Sequence, residues 1–160
     1  MEANNITKIH FIGIGGIGMS ALARMCLLAG KDVGGSDTSQ SEITEALEKL
    51  GARVFYEHKK ENIGSDVGLA VCTHAISEDN PELLEAKRRG IPTRTYPEFL
   101  GAISKGKYTV AVSGTHGKTT TTGMIAEGAI AAGLAPTVVI GSLLKNANSN
   151  FVGGAGKYLI

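Results

Sequence analysis

Tryptophan is absent and aromatic residues make up only 5% of the 160 positions, although apolar residues at 42% still suffice for a packed core. Charge of one sign is also missing. Sixteen Lys and Arg face fifteen Asp and Glu, giving a formal net charge of +1. That near-balance supplies no field for gripping nucleic acid or an anionic membrane, and neither is expected as a partner. Long apolar runs are lacking too. The longest uncharged stretch, Gly128–Leu144, is broken by Pro136 and by glycines, which excludes a spanning helix. The N-terminal MEANNITK has no basic region of the kind that opens a leader peptide. Cysteine is scarce. Cys26 and Cys72 lie in separate apolar runs, and the expectation is two reduced thiols in a cytoplasmic protein, with no zinc-type spacing to His10 or His74. Proline is limited to 4 residues, whereas glycine reaches 22, about twice its usual share.

The remaining pattern alternates strand and helix. Lys8–Ile14, Val33–Ser36, Arg53–Tyr56 and Val67–Cys72 read as strands. Met19, Leu22, Ala23, Cys26 and Ala29 recur at helical spacing up to Gly30. Ser39 and Glu42 carry a capping-box pattern before a second helix that ends at Gly51. Asn80-Pro81 opens a third helix, closed by Lys87-Arg88-Arg89-Gly90, and Thr95 to Glu98 repeats the capping pattern before a fourth. This alternation predicts an α/β fold: a Rossmann-like parallel-sheet domain over residues 1–106. The polar SKGK segment, Ser104–Lys107, marks the boundary. From residue 107 to 160 a second α/β unit begins, with strand Tyr108–Ser113, helix Thr119–Ala132, strand Thr137–Ile140 and a last strand at Lys157–Ile160. It is too short for a complete domain, and its unfinished sheet would expose an apolar edge, for which a homodimer or disorder after about Lys107 are the two expectations.

Glycine clusters at two strand-to-helix junctions. Gly13-Ile14-Gly15-Gly16-Ile17-Gly18 is a full G-x-G-x-x-G, and Asp37 follows at the end of the second strand. In that setting the backbone can approach a diphosphate, helix N–H groups face the anion, and the carboxylate can accept ribose hydroxyls. A glycine turn selected only for tight packing is the competing explanation. Gly114-Thr115-His116-Gly117-Lys118-Thr119 resembles a P-loop shortened by two residues, with Val112 where the longer pattern has glycine. Lys118 would reach the outer phosphates and the Thr119 hydroxyl could ligate Mg²⁺. Two phosphate loops in tandem argue against a dehydrogenase, because hydride transfer needs no ATP-type loop. An NAD-linked oxidoreductase and a non-catalytic UDP-sugar-binding module nevertheless stay open as alternatives.

Phe11–Ala23 (FIGIGGIGMSALA), Gly35–Asp37 (GSD), Ala75–Glu82 (AISEDNPE) and Ser113–Thr122 (SGTHGKTTTT) together resemble the Mur ligases of peptidoglycan synthesis, in matching order along the whole chain. The pattern is closest to the members that join L-alanine to UDP-N-acetylmuramate. The resemblance implies an ATP- and Mg²⁺-dependent carboxylate–amine ligase, in which phosphoryl transfer to the carboxylate precedes attack by the L-alanine amine. It implies that Gly13, Gly15, Gly16 and Gly18 contact the UDP diphosphate and that Ser36 and Asp37 face ribose or uracil. Thr73 and His74 would line the same pocket. Gly114, Thr115, His116, Gly117, Lys118, Thr119 and Thr120 would hold ATP phosphates, with Lys118 and Thr119 the catalytic pair and Thr119 on the metal. His10 and His58 are expected to be structural or solvated. An acidic segment that would complete the Mg²⁺ site, and a third domain, are not within these residues, so the chain reads as an N-terminal portion that is inactive alone.

Overall fold

The computed structural model describes residues 6–144 and 146–160; most of the N-terminal segment read above for a leader lies outside them. The chain divides into two compact units, Met1–Ala102 and Ile103–Ile160.

The first unit contains β1 (Lys8–Ile12), α1 (Ile17–Leu28), β2 (Asp32–Ser36), α2 (Glu42–Lys49), β3 (Arg53–Phe55), a single 3-10 turn (Lys60–Asn62), β4 (Leu69–Cys72), α3 (Pro81–Arg88), β5 (Thr93–Thr95) and the start of α4 (Tyr96–Ser104). Its five strands are all parallel in the order β3-β2-β1-β4-β5. The order reverses beside β1, so the loops after β1 and β4 diverge at the carboxyl edge and leave a crevice there, the usual ligand position of a doubly wound sheet. β1 and β4 run through the centre, which is why their sequences, KIHFI and LAVC, are mostly apolar. Phe11, Ile12, Leu22, Val33, Leu47 and Val71 are fully buried. The alternation of side chains across β1 sends Phe11 edge-on to Phe99 of α4, at 6.1 Å and 71°, while His10 on the opposite face meets Glu82 of α3.

Helix ends follow the chemistry of their caps, with one shift. The second helix is capped by Ser41, not Ser39. The Ser41 hydroxyl accepts from Thr44 N while Thr44 Oγ1 accepts from Ser41 N, and Glu42 becomes the first helical residue. Threonine fills the reciprocal role that the S-x-x-E pattern gave to glutamate. Asn80 caps α3 as expected, accepting from the amides of Glu82 and Leu83. At α4 the Glu98 carboxylate takes both the amide and the hydroxyl of Thr95. The three-residue strand β5 is not evident from its sequence, Thr-Arg-Thr; it exists because β4 offers a free parallel edge at Ala70–Cys72.

The second unit holds β6 (Tyr108–Thr109), α5 (Lys118–Ala131), β7 (Val138–Leu144), β8 (Ser149–Val152) and β9 (Tyr158–Leu159). β6 pairs in parallel with β9, and Thr137 bridges to Leu159 on the other side of that strand. The strand expected over Tyr108–Ser113 is observed only at Tyr108–Thr109, although Val110 N still bonds to Leu159 O. β7 is longer than expected and turns into an antiparallel hairpin with β8, which the Asn- and Gly-rich sequence did not suggest. A small core of Ala126, Val138, Ile140, Leu144 and Ile160 fastens α5 to this framework.

Candidate phosphate-binding loops

In the first loop each of three glycines makes room for a protein side chain. Gly13 leaves β1 with φ +85°, and a Cβ there would stand 2.7 Å from Thr73 Cγ2 at the end of β4. A Cβ on Gly15 would stand 2.8 Å from Asp37 Oδ2, and one on Gly18 would stand 2.7 Å from the Tyr96 ring. Gly16 differs. It is exposed, has φ −59° and ψ 142°, and a Cβ would meet only ordinary contacts, 3.4 Å from Gly13 O and 3.6 Å from Met19 Cγ. Internal packing therefore accounts for three glycines of the loop and leaves the fourth without an internal reason.

The turn is tied down by main-chain bonds. Gly13 N and Ile14 N both donate to Ser36 O, at 2.8 and 2.9 Å, and Gly16 N donates to Gly13 O. Asp37 is half-buried, and its Oδ2 accepts from Gly15 N at 2.8 Å while Oδ1 accepts from Thr38 N. The carboxylate thus braces the loop, and lone pairs remain on it for a sugar hydroxyl. Ser36 departs from its expected orientation. Its side chain is fully buried and donates to Glu82, so it faces the interior and not a ribose or uracil. Thr73 places its methyl group on Gly13 and accepts from Ala75 N, whereas His74 is exposed beyond it. Tyr96, which no sequence motif singles out, covers Gly18 near the start of α1, and burial raises its phenol above the ordinary range.

The second loop is open along its length, with Gly114 through Thr120 exposed. Gly117 takes a left-handed conformation, φ +76°, as the residue that caps α5, and Gly114 also has positive φ. The Lys118 ammonium curls into the loop and donates to Gly114 O at 2.5 Å and to Thr115 O at 3.2 Å. A cation is thus held on two main-chain carbonyls beside a helix start. Thr119 stands in the first helical turn, its hydroxyl on the side of Gly141 in β7. His116 contributes its backbone to the turn, and its exposed side chain has no described bond. These groups fit a polyphosphate: uncapped helix amides, one ammonium, and a threonine hydroxyl placed to reach an accompanying cation.

The two loops share a feature that the other helices lack. Gly16 and Gly117 are the N-caps of α1 and α5, and no side chain caps either helix. By contrast Ser41, Asn80 and the Thr95–Glu98 pair supply side-chain partners at α2, α3 and α4. Among the described residues no cluster of His, Cys, Asp and Glu could by itself hold a metal ion, and no helix is long and apolar enough to cross a membrane. Both cysteines are free; burial pushes the Cys26 thiol up to about 12 and raises Cys72 as well.

Comparison with known proteins matches this architecture to one family. The family described as "Mur ligase family, catalytic domain" matches residues 8–108, the span that carries the first loop. The UDP-N-acetylmuramate–L-alanine ligase of Aquifex aeolicus is 49% identical over all 160 residues, which span 35% of its length. That of Clostridium kluyveri is 52% identical over 148 residues, covering 92% of this chain and 31% of the relative. The crystal structure of the UDP-N-acetylmuramate–alanine ligase of Thermotoga maritima superposes with a TM-score of 0.87 at 37% identity, covering 95% of this chain and 36% of that one. The chain thus spans about a third of the length of the relatives it matches. With the five-stranded parallel sheet, both glycine loops and this similarity in agreement, the chain belongs to the Mur ligase family.

Proposed function

We propose that this chain carries the UDP-sugar platform and the ATP phosphate loop of a ligase that joins L-alanine to UDP-N-acetylmuramate in peptidoglycan synthesis. The observation that carries this reading is the pair of glycine-capped helices, α1 and α5, left without side-chain caps where α2, α3 and α4 have them. Four amides at a helix start lack intrahelical partners, and an anion is the partner that the helix dipole favours. The similarity to alanine-adding ligases across the whole chain supports the choice of substrate.

On this reading Gly16 and the start of α1 receive the diphosphate, and Asp37 offers its remaining lone pairs to a ribose hydroxyl. Thr73 and His74 line the far wall at the end of β4. Lys118 leaves its two carbonyl partners to meet the outer phosphates of ATP, and Thr119 gives its hydroxyl to Mg²⁺. ATP with Mg²⁺ supplies the phosphoryl group that turns one carboxylate oxygen into a leaving group. The residues here position and neutralise charge, which is most of what phosphoryl transfer asks of a protein. We also propose that these residues bind without turning over by themselves, since they span only about a third of the length of the ligases they match.

Calorimetry with UDP-N-acetylmuramate, UDP, NADH and ATP tests the assignment. UDP-N-acetylmuramate and UDP should bind and NADH should not, and Lys118→Ala should abolish ATP binding while leaving the UDP ligands unaffected. Preferential binding of NADH would overturn the reading in favour of an oxidoreductase.

A further inference from the structure

Beneath the first loop lies a buried polar cluster that phosphate binding leaves unexplained. Glu82, the second residue of α3, is fully buried. Its Oε2 accepts from Ser36 Oγ at 2.5 Å and from His10 Nε2 at 3.1 Å. Its Oε1 accepts from Asn62 Nδ2 at 2.5 Å and from Lys59 N at 3.3 Å. One carboxylate thereby ties α3 to β1, to β2 and to the segment around the 3-10 turn. Four donors satisfy an ionised carboxylate and would leave a protonated one in conflict. In keeping with this, burial pulls the Glu82 carboxyl upward, but the bonds from His10, Ser36 and Asn62 outweigh it and hold the group below its ordinary value.

The directions of the bonds are then fixed. Ser36 gives its one hydroxyl proton to Glu82, so His58 Nδ1, 2.9 Å from Ser36 Oγ, must be the donor in that contact. A serine, two histidines and an acid are the residue types of a hydrolytic triad, but Ser36 is fully buried and its proton points at the carboxylate. It cannot serve as a nucleophile. What Ser36 does present to the site is its carbonyl, which receives both Gly13 N and Ile14 N, while the next residue, Asp37, receives Gly15 N. Three successive amides of the loop hang on two residues, and the first of those is held by Glu82.

We propose that Glu82 is a positioning residue for the first glycine loop, acting through Ser36, with His58 as the outer donor that completes the clamp. The inference rests on reading that loop as the UDP site. Freed from Glu82, Ser36 can shift along β2, and the loop amides lose the fixed geometry on which a preformed anion site depends.

The test compares the 160-residue chain with its Ser36→Ala, Glu82→Gln and His58→Ala variants. UDP affinity is measured by calorimetry and amide hydrogen exchange by NMR. Ser36→Ala and Glu82→Gln should weaken UDP at least tenfold. Exchange at Gly13, Ile14 and Gly15 should quicken at least tenfold while the β1 and β4 core amides keep their protection, a local pattern that general destabilisation would not give. His58 sits at the rim with 17% of its side chain exposed, so His58→Ala should fold and move both readings the same way to a smaller extent. It decides the matter if the two buried variants do not fold. Unchanged loop exchange together with UDP affinity within twofold of the parent would overturn the proposal. Failure of the parent to bind UDP would instead refute the reading of the loop, and the exchange data would still judge the clamp.

Discussion

Gly16→Ala separates ligand recognition from packing more cleanly than any other change in the first loop. The backbone at Gly16, φ −59° and ψ 142°, is one that alanine adopts without strain. The added methyl would meet nothing closer than 3.4 Å. Two small terms oppose each other in the folding energy. Alanine is a poorer N-cap than glycine by up to about 1 kcal/mol, and it restricts the unfolded chain by roughly 0.4–1 kcal/mol in the other direction. The net change should stay within about 1 kcal/mol, a shift in Tm of no more than ~8 °C for a unit of this size. Ligand affinity should respond differently, because the methyl lies where a diphosphate oxygen would approach the α1 amides. Hydrogen bonds to a charged group contribute about 1.5–3 kcal/mol each, so losing one or two costs about 1.5–6 kcal/mol, or roughly 10- to 10⁴-fold in Kd. Calorimetry with UDP-N-acetylmuramate beside a thermal melt reads both quantities on one preparation. A stable variant with undiminished affinity would show that the diphosphate does not sit over Gly16.

Gly18→Ala should cost about 1–3 kcal/mol through overlap with the Tyr96 ring, and Tyr96→Ala in the same chain should remove that penalty; a double-mutant cycle with no coupling would refute the contact. Gly13→Ala combines positive φ with a clash on Thr73 and should destabilise by more than Gly16→Ala in the same melt. Because the Glu82 carboxyl is held below its ordinary value, its contribution is fully present above about pH 4.5 and is lost as pH falls through the folded-state value. Acid titration of stability should therefore have a shallower slope below pH 4.5 in Glu82→Gln than in the parent. Cys26, 5% exposed and pushed up to about 12, should resist alkylation at pH 8 until the chain unfolds, as mass spectrometry after iodoacetamide treatment would record.

What the sequence disclosed and what it hid divide along physical lines. Central strands and capped helices announced themselves because burial and capping are local in their demands: β1, β4 and the Asn80-Pro81 start of α3 stand where the residues placed them. β5 was hidden, since Thr93–Thr95 has no strand pattern of its own and forms only because β4 offers an edge. The capping box moved from Ser39 to Ser41 because two serines compete within three positions and only Ser41 is placed to exchange bonds with Thr44. The glycine loops were legible as patterns, but the tasks of their residues were not. Nothing in the spacing says that Gly18 faces Tyr96, 78 positions away, or that Ser36 turns inward to Glu82. Those pairings depend on which strand ends the sheet order brings together, and that order is written in no single segment.

The central claim is that the uncapped starts of α1 and α5 receive phosphoryl oxygens from two different ligands. Amide NMR of the isotopically labelled chain, titrated separately with UDP-N-acetylmuramate and with ATP plus Mg²⁺, tests it most directly. The account predicts that the first ligand shifts the amides of Gly15–Met19 and the second those of Gly114–Thr120, each leaving the other set in place. Shifts from both ligands at one loop, or at neither, would contradict it.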